Sequence, residues 1–319
     1  ISLVDYTLLW AGMTINIAGF AIGAQLYPNL SPTMIILGIL VAYIMVTILL
    51  VLNGDIGMTY SIPFTVYMRA CFGYKGSFIP GIIRSIPCFF WFGFQTWVGA
   101  IALDQIFKMI TGYSNVTIFI VVFSIIQILN AIYGLKAMAK FDWIAIPLLA
   151  IVLGGTMFWL LKSHNASFFE ILNAPSDNNY PFMFAVMGIA GGWITMALNS
   201  PDLTRQLKRD KNFENESFFV RNRNAIIAQV LGLVIVGALI LIVGMTAGIL
   251  TGVWNPIDVI IATFGTSKPV ILIFSFSLLI GIGSAAAVSL KLGMKDREEA
   301  ERFLGVAVFL SFIISAVLM

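Results

Sequence analysis

Gly188-Ile189-Ala190-Gly191-Gly192-Trp193 interrupts an apolar run that starts at Phe182 and ends at Asn199-Ser200-Pro201. Clustered glycines weaken a helix and release backbone N–H and C=O groups, which a membrane tolerates only inside protein or along a cavity. A second run of this kind opens the chain, where Gly12, Gly19 and Gly23 flank Asn16 before Pro28. Glycine-interrupted spans at corresponding positions of two halves point to a transporter site near the membrane midplane. The competing explanation is that small residues let neighbouring helices approach closely. The pairing of the two runs, as spans one and six, favours the first reading.

The rest of the chain fits a polytopic membrane protein. Hydrophobic residues make up 60% of its 319 residues and charged residues 10%, and the mean hydropathy is +0.98. A soluble chain of this length shows amphipathic elements and far more charge. Apolar runs of about 17–25 residues, enough to cross ~30 Å of hydrocarbon, recur along it. Nine spans are predicted, at about Tyr6–Tyr27, Thr33–Leu52, Pro80–Ile110, Val116–Tyr133, Trp143–Leu161, Phe182–Asn199, Ala225–Leu250, Pro269–Leu290 and Phe303–Met319. The whole chain, 1–319, reads as one transmembrane domain, with spans one to five (1–161) forming a first repeat and 182–319 a second.

Lys and Arg orient the chain. With a cytoplasmic N-terminus the inner side carries Arg69, Lys75, Arg84, Lys136, Lys140, Arg205, Lys208, Arg209, Lys211, Arg221, Arg223, Lys291, Lys295, Arg297 and Arg302. The outer side then carries only Lys108, Lys162 and Lys268, which predicts a multi-pass cell-membrane protein. The net charge of +3 is therefore topology rather than a nucleic-acid patch, and Arg205–Arg223, diluted by Asp210, Glu214 and Glu216, reads as a solvated loop. The polar run Asn53–Ser77 reads as an interfacial segment in which Asp55 and Arg69 are a candidate pair, and Pro87 is expected to kink span three. Cys71 and Cys88 give no disulfide framework. The chain begins at Ile1, so its natural start is expected upstream.

Little in the sequence suggests an enzyme. The single histidine, His164, falls in an outer loop, and no nucleophile–histidine pair or paired intramembrane carboxylates are present. Asp104 and Asp142 are the acidic residues closest to the core. A proton pump needs a titratable intramembrane group. The pattern leans instead towards Na⁺ held by carbonyls and hydroxyls at an unwound helix, with Asp104 the alternative for a proton.

Span three carries Trp91-Phe92-Gly93-Phe94-Gln95-Thr96-Trp97. Trp91 and Gln95 are four residues apart and share a helix face. An aromatic plane beside a donor–acceptor amide suits a small, flat, uncharged polar molecule. Trp10, Trp143, Trp159 and Trp254 lie near span ends and read as interfacial belt residues, whereas Trp91 and Trp193 are each about eleven residues into a span. For those two the choice is core packing or ligand, and Gln95 alone would serve as interhelical glue worth about 0.6 kcal/mol. Two stacks at ~1–3 kcal/mol and two or three hydrogen bonds at ~1 kcal/mol give roughly 5–8 kcal/mol before binding costs, enough for micromolar capture.

Two long motifs in order resemble the nucleobase–cation symporter family one, whose members carry purines, pyrimidines, hydantoins or allantoin. The first runs from Leu52-Asn53-Gly54-Asp55 through Ile62-Pro63-Phe64, Tyr67, Arg69-Ala70, Phe72-Gly73 and Gly76 to Trp91–Trp97. The second is Gly192-Trp193, Ala197-Leu198-Asn199, Pro201-Asp202 and Arg205. The opening Trp10–Phe20 looks most like the allantoin permease branch, and the likeness covers about residues 1–280.

The resemblance implies an all-α leucine-transporter-type fold, two inverted five-helix repeats plus two helices, of whose twelve spans about nine are present. It implies a monomeric importer, in the lipid membrane, that couples a planar heterocycle to a cation, Na⁺ before H⁺. Trp91 would stack on the ring, Gln95 would bond its amide edge, Trp193 would close the other face, and Asn16 matches the polar first-helix position. Carbonyls around Ala11, Met13 and Thr14 would form half of a sodium site, with Ser284 a candidate ligand from span eight. Span eight departs from the family, however. Phe274–Leu290 offers Ser275, Ser277, Ser284 and Ser289 but no asparagine, and Met294–Arg302 is a charged run without a counterpart. Omitted residues, truncation and true divergence are the three explanations. The last leaves open a membrane receptor or scaffold that keeps the pocket without cycling; a channel lacks a ring of charges or a filter-like loop.

Overall fold

The computed structural model describes residues 1–133, 135–208, 216–264 and 269. Every described element is helical: α1 Leu3–Thr14, α2 Ile17–Leu26, α3 Pro32–Tyr60, α4 Phe64–Gly76, α5 Phe78–Thr111, α6 Val116–Tyr133, α7 Leu135–Ser163, α8 Phe168–Leu172, α9 Phe182–Gly191, α10 Met196–Thr204, α11 Phe218–Gln229, α12 Val236–Thr251 and α13 Pro256–Phe264. A π-helical turn, Val230–Ile235, joins α11 to α12, making one apolar helix of 34 residues. The predicted spans eight and nine, with Ser284 and the charged run after Met294, lie outside the described residues.

Spans one and six are broken, as their glycines suggested. The two halves of the first are bent by 53° and those of the second by 44°. Their partners are reciprocal: α2 packs mainly on α12, and α9 and α10 pack mainly on α3. Each broken span thus lies against the long helix that follows the other, the arrangement expected of two related halves.

The membrane reading is visible on α3. Leu37, Val41, Ile44, Ile48 and Leu52, spaced three or four apart, are each about half exposed. An apolar stripe of that length facing outward is stable only against lipid or a partner. Its other face, with Ile35, Ile39, Tyr43, Val46 and Leu50, joins the same core as Tyr6, Leu9 and Trp10 of α1.

The interfacial segment expected from Asn53 to Ser77 is corrected. α3 continues through Asn53-Gly54-Asp55 to Tyr60, ends at Ser61 in the left-handed conformation, and only Phe64–Gly76 forms a separate helix. Gly57 explains the misreading, because it serves close approach rather than helix breaking. A Cβ there would collide with Thr204 Oγ1 and the Pro201 carbonyl of α10. The charges are also paired differently. Asp55 accepts from Arg221 Nε at 2.8 Å, Arg221 Nη2 at 2.9 Å and Asn222 Nδ2 at 2.6 Å, while the Arg69 guanidinium lies 4.8 Å from the Tyr74 ring centre. Arg221 therefore belongs to α11 and its pair with α3, not to a solvated loop.

Candidate binding site

A cavity opens where the two broken spans meet α3, α5 and α12. Its walls are Met13, Asn16, Ala18, Gly19 and Ile22 from the first break, Tyr43 from α3 and Cys88, Trp91 and Gln95 from α5. Ile189, Gly192, Trp193, Thr195, Met196 and Asn199 come from the second break, and Leu241 from α12. The space, its open mouth included, is about 740 Å³. All four predicted substrate residues, Trp91, Gln95, Trp193 and Asn16, are brought together around it. Met13 of the predicted sodium set also lines it; Ala11 and Thr14 do not, and both are buried.

Helical spacing puts Cys88, Trp91 and Gln95 on one face of α5. The Trp91 ring is set edge-on by Phe90 at 5.8 Å and Phe94 at 5.9 Å. Glycine at 192 lets the second break come up beside it: a Cβ there would stand 3.6 Å from Trp91 Cζ2. Trp193 is backed by Trp10, ring centres 6.3 Å apart. Trp10 is fully buried, so its reading as a belt residue is corrected: the first break folds it inward against Tyr6 and Trp193. Trp143, Trp159 and Trp254 are each at least 41% exposed, as interfacial residues are.

Polar side chains in the cavity fall into two kinds. Asn16 is occupied by the break itself. Its Nδ2 donates to the Met13 carbonyl at 2.9 Å and the Thr14 carbonyl at 3.2 Å, and its Oδ1 accepts from Gly19 N–H at 2.8 Å. What remains for a ligand is one lone pair of the oxygen. Gln95 and Asn199 differ: the buried Oε1 of Gln95 and Oδ1 of Asn199 have no partner among the described residues. Asn199 was visible in the second motif, yet nothing in its sequence context assigned it a role.

The carbonyls expected to hold a cation already accept hydrogen bonds. Ala11 O takes the Ile15 N–H at 2.9 Å, Met13 O and Thr14 O take the Asn16 amide, and the Thr14 hydroxyl donates to Trp10 O at 2.6 Å. Ala11 O and Met13 O each accept one of these bonds and keep a second lone pair for a hard cation that takes oxygen ligands, whereas Thr14 O also takes the Asn16 N–H at 2.9 Å and has none left. Among the described residues no group of three or more His, Cys, Asp or Glu is placed to hold a metal. Asp104 is engaged in a turn, accepting from Ser114 Oγ at 2.8 Å and Asn115 N–H at 2.7 Å.

Beneath the cavity, towards the start of α5, Arg84 pairs with Asp202 of α10 at 2.6 Å, both side chains 7% exposed. Arg84, one of the charges assigned by sequence to the inner side, is inside α5 and buried. α10 is fastened to α3 by Ser200 Oγ donating to Leu50 O at 2.6 Å, Thr204 Oγ1 to Gly54 O at 2.6 Å, and Asn53 Nδ2 to Ala197 O.

Residues 1–295 match the model of a family described as permeases for cytosine and purines, uracil, thiamine and allantoin. A hydantoin permease of Microbacterium maritypicum is 30% identical over 278 residues, 86% of this chain and 57% of that protein. An allantoin permease of Bacillus subtilis is 29% identical over 237 residues, 68% of this chain and 48% of that protein. The chain spans about half the length of these relatives. Among solved structures, Mhp1, a nucleobase-cation-symport-1 family transporter in a closed conformation with bromovinylhydantoin bound, superposes with a TM-score of 0.91 at 27% identity, covering 100% of this chain and 71% of that one. Mhp1 facing inward superposes at 0.79, covering 99% of this chain and 74% of that one. The fold is thus the all-helical leucine-transporter type, in a multi-pass membrane protein.

Proposed function

The chain belongs to the family of permeases for cytosine and purines, uracil, thiamine and allantoin, a family of transporters rather than enzymes, and from that premise we propose a cation-coupled importer of a small, uncharged, planar heterocycle such as a hydantoin, allantoin or a nucleobase. The observation that carries this is the cavity between two broken helices, walled by Trp91 and Trp193, with the unpaired amide oxygen of Gln95 inside it. Trp91 offers a stacking face, Trp193 a second one, and Gln95 an acceptor whose burial without a partner costs about 1–3 kcal/mol until a ligand N–H arrives.

Transport follows from alternating access around this fixed site. The fastening of α10 to α3 makes those helices move together, and the Arg84–Asp202 pair is the contact with α5 that separates when the site opens on that side. The higher superposition on the closed than on the inward-facing Mhp1 supports a state in which that side is shut. Charge bias makes it the cytoplasmic side of a cell-membrane protein. Na⁺ is the coupling ion this reading favours, held by oxygens at the end of α1.

The test is uptake of radiolabelled hydantoin, allantoin and uracil into proteoliposomes carrying the full chain, with Na⁺ or choline outside. Accumulation of one of them, with higher affinity in Na⁺, is expected, because coupling must appear as a change in affinity. Trp91→Ala should weaken binding by roughly 10- to 100-fold, the loss of one stack. Unchanged uptake in that variant would remove the site assignment, and equal affinity in the two salts would remove sodium coupling.

A further inference from the structure

α5 and the second break face each other in matched steps. Trp91 lies against Gly192; one turn further down, Cys88 Sγ is 3.8 Å from Asn199 Nδ2; one turn below that, Arg84 meets Asp202. Asn199 therefore sits between the aromatic wall and the ion pair, on the floor of the cavity. It is 1% exposed. Its oxygen has no partner among the described residues, and its nitrogen meets only sulfur, Met196 Sδ at 3.5 Å and Cys88 Sγ at 3.8 Å.

This is out of keeping with the helix that carries it. Ser200 and Thr204, its neighbours on α10, each donate to a carbonyl of α3. On α10 these two hydroxyls are thus satisfied, whereas the Asn199 oxygen is left without a partner among the described residues. A buried amide oxygen in that position is unfavourable unless a hydrogen-bond donor occupies the cavity, and the amide nitrogen, held only by weak sulfur acceptors, is available to an oxygen beside it. Gln95 leaves its own amide oxygen unpaired two turns higher on the other wall.

Resting on the transport reading above, we propose that Asn199 is a ligand-contacting, specificity-determining residue. Its side-chain amide presents acceptor beside donor, the complement of a lactam edge in which N–H adjoins C=O. Gln95 reads one edge of the ring stacked on Trp91, and Asn199 reads a second. The site therefore selects heterocycles with two separate N–H-bearing edges, as in ureide and imide rings, over rings that offer only one. A site built to bond a ligand N–H rejects analogues lacking it, because its own polar group is then left unpaired.

The experiment crosses protein variants with ligand methylation. Dissociation constants for hydantoin, 1-methylhydantoin and 3-methylhydantoin are measured by tryptophan fluorescence on the purified full chain, wild type and Asn199→Leu. One methyl compound should bind the wild type about tenfold more weakly than hydantoin. Asn199→Leu should weaken hydantoin about tenfold and leave that same methyl compound unchanged. Gln95→Leu should show the same non-additivity with the other methyl compound. The comparison is between ligands within one variant, so a reduced folded fraction cancels, and Asn199→Ala carries the same test if the leucine variant does not fold. Asn199→Leu weakening all three ligands equally, or none, overturns the proposal in favour of a packing or water-binding role. A wild type that binds hydantoin but accumulates nothing in vesicles overturns transport and leaves the proposal to this cycle. Binding of none of the three by the wild type overturns it.

Discussion

The two broken spans start from similar sequence and reach different ends. The first break satisfies itself: Asn16 bonds carbonyls before it and an N–H after it, while Gly23 packs against the Leu241 backbone of α12. The second has no side-chain cap. It turns on backbone bonds, Trp193 N–H to Ala190 O at 2.9 Å, Ile194 N–H to Ala190 O at 2.8 Å and Met196 N–H to Trp193 O at 2.9 Å. Cβ atoms at Gly188 and Gly191 would meet nothing within 4 Å. Its second half relies on α3 and α5 for its polar partners. A glycine-rich interruption can thus be a rigid half-site, or a hinge whose position other helices set and whose side chains remain available to a ligand.

The contrast can be broken most severely at Arg84. Arg84→Met leaves Asp202 buried without its partner, which should cost about 3–5 kcal/mol. A large fall in thermal midpoint is expected, with much of it restored in Arg84→Met/Asp202→Leu; a midpoint that does not move would mean α10 is held by α3 alone. Asn16→Ala acts on the other break and removes a cap, worth about 1 kcal/mol. It should lower the midpoint slightly while shifting ligand affinity less than Trp91→Ala does. An affinity loss as large as that of Trp91→Ala would show Asn16 to be a ligand residue first and a cap second. The mildest probe is the thiol pair. Cys88 lines the cavity and Cys71 is exposed, so saturating ligand should slow alkylation of Cys88 a few-fold and leave Cys71 unchanged. Equal rates at Cys88 with and without ligand would place the ligand higher, beside Gln95 only.

The legible parts of the site were those that depend on nearby residues. Trp91 and Gln95 share a face because they are four apart, and Trp193 follows the glycines that break its own helix. Asn199 was not legible, because an asparagine near a span end usually caps or bonds a neighbour, and only packing shows that its nitrogen meets sulfur alone while its oxygen is left without a partner. Proximity in sequence made Arg69 a candidate for Asp55, whereas its partner Arg221 is 166 residues away. Trp10 lay near a span end and suggested the interface; the 53° bend of the first span turns that end into the core.

The sequence by itself determined the membrane class, the two breaks and the aromatic–amide face of α5. Those follow from hydropathy, helical periodicity and glycine, which act over a few residues. Only the tertiary structure decided which glycines pack and which face open space, which carboxylate meets which arginine, and which buried amide is left without a partner. Hydrogen bonds and close approaches join groups far apart in the chain, and a lone side chain in the sequence carries no sign of what it will face.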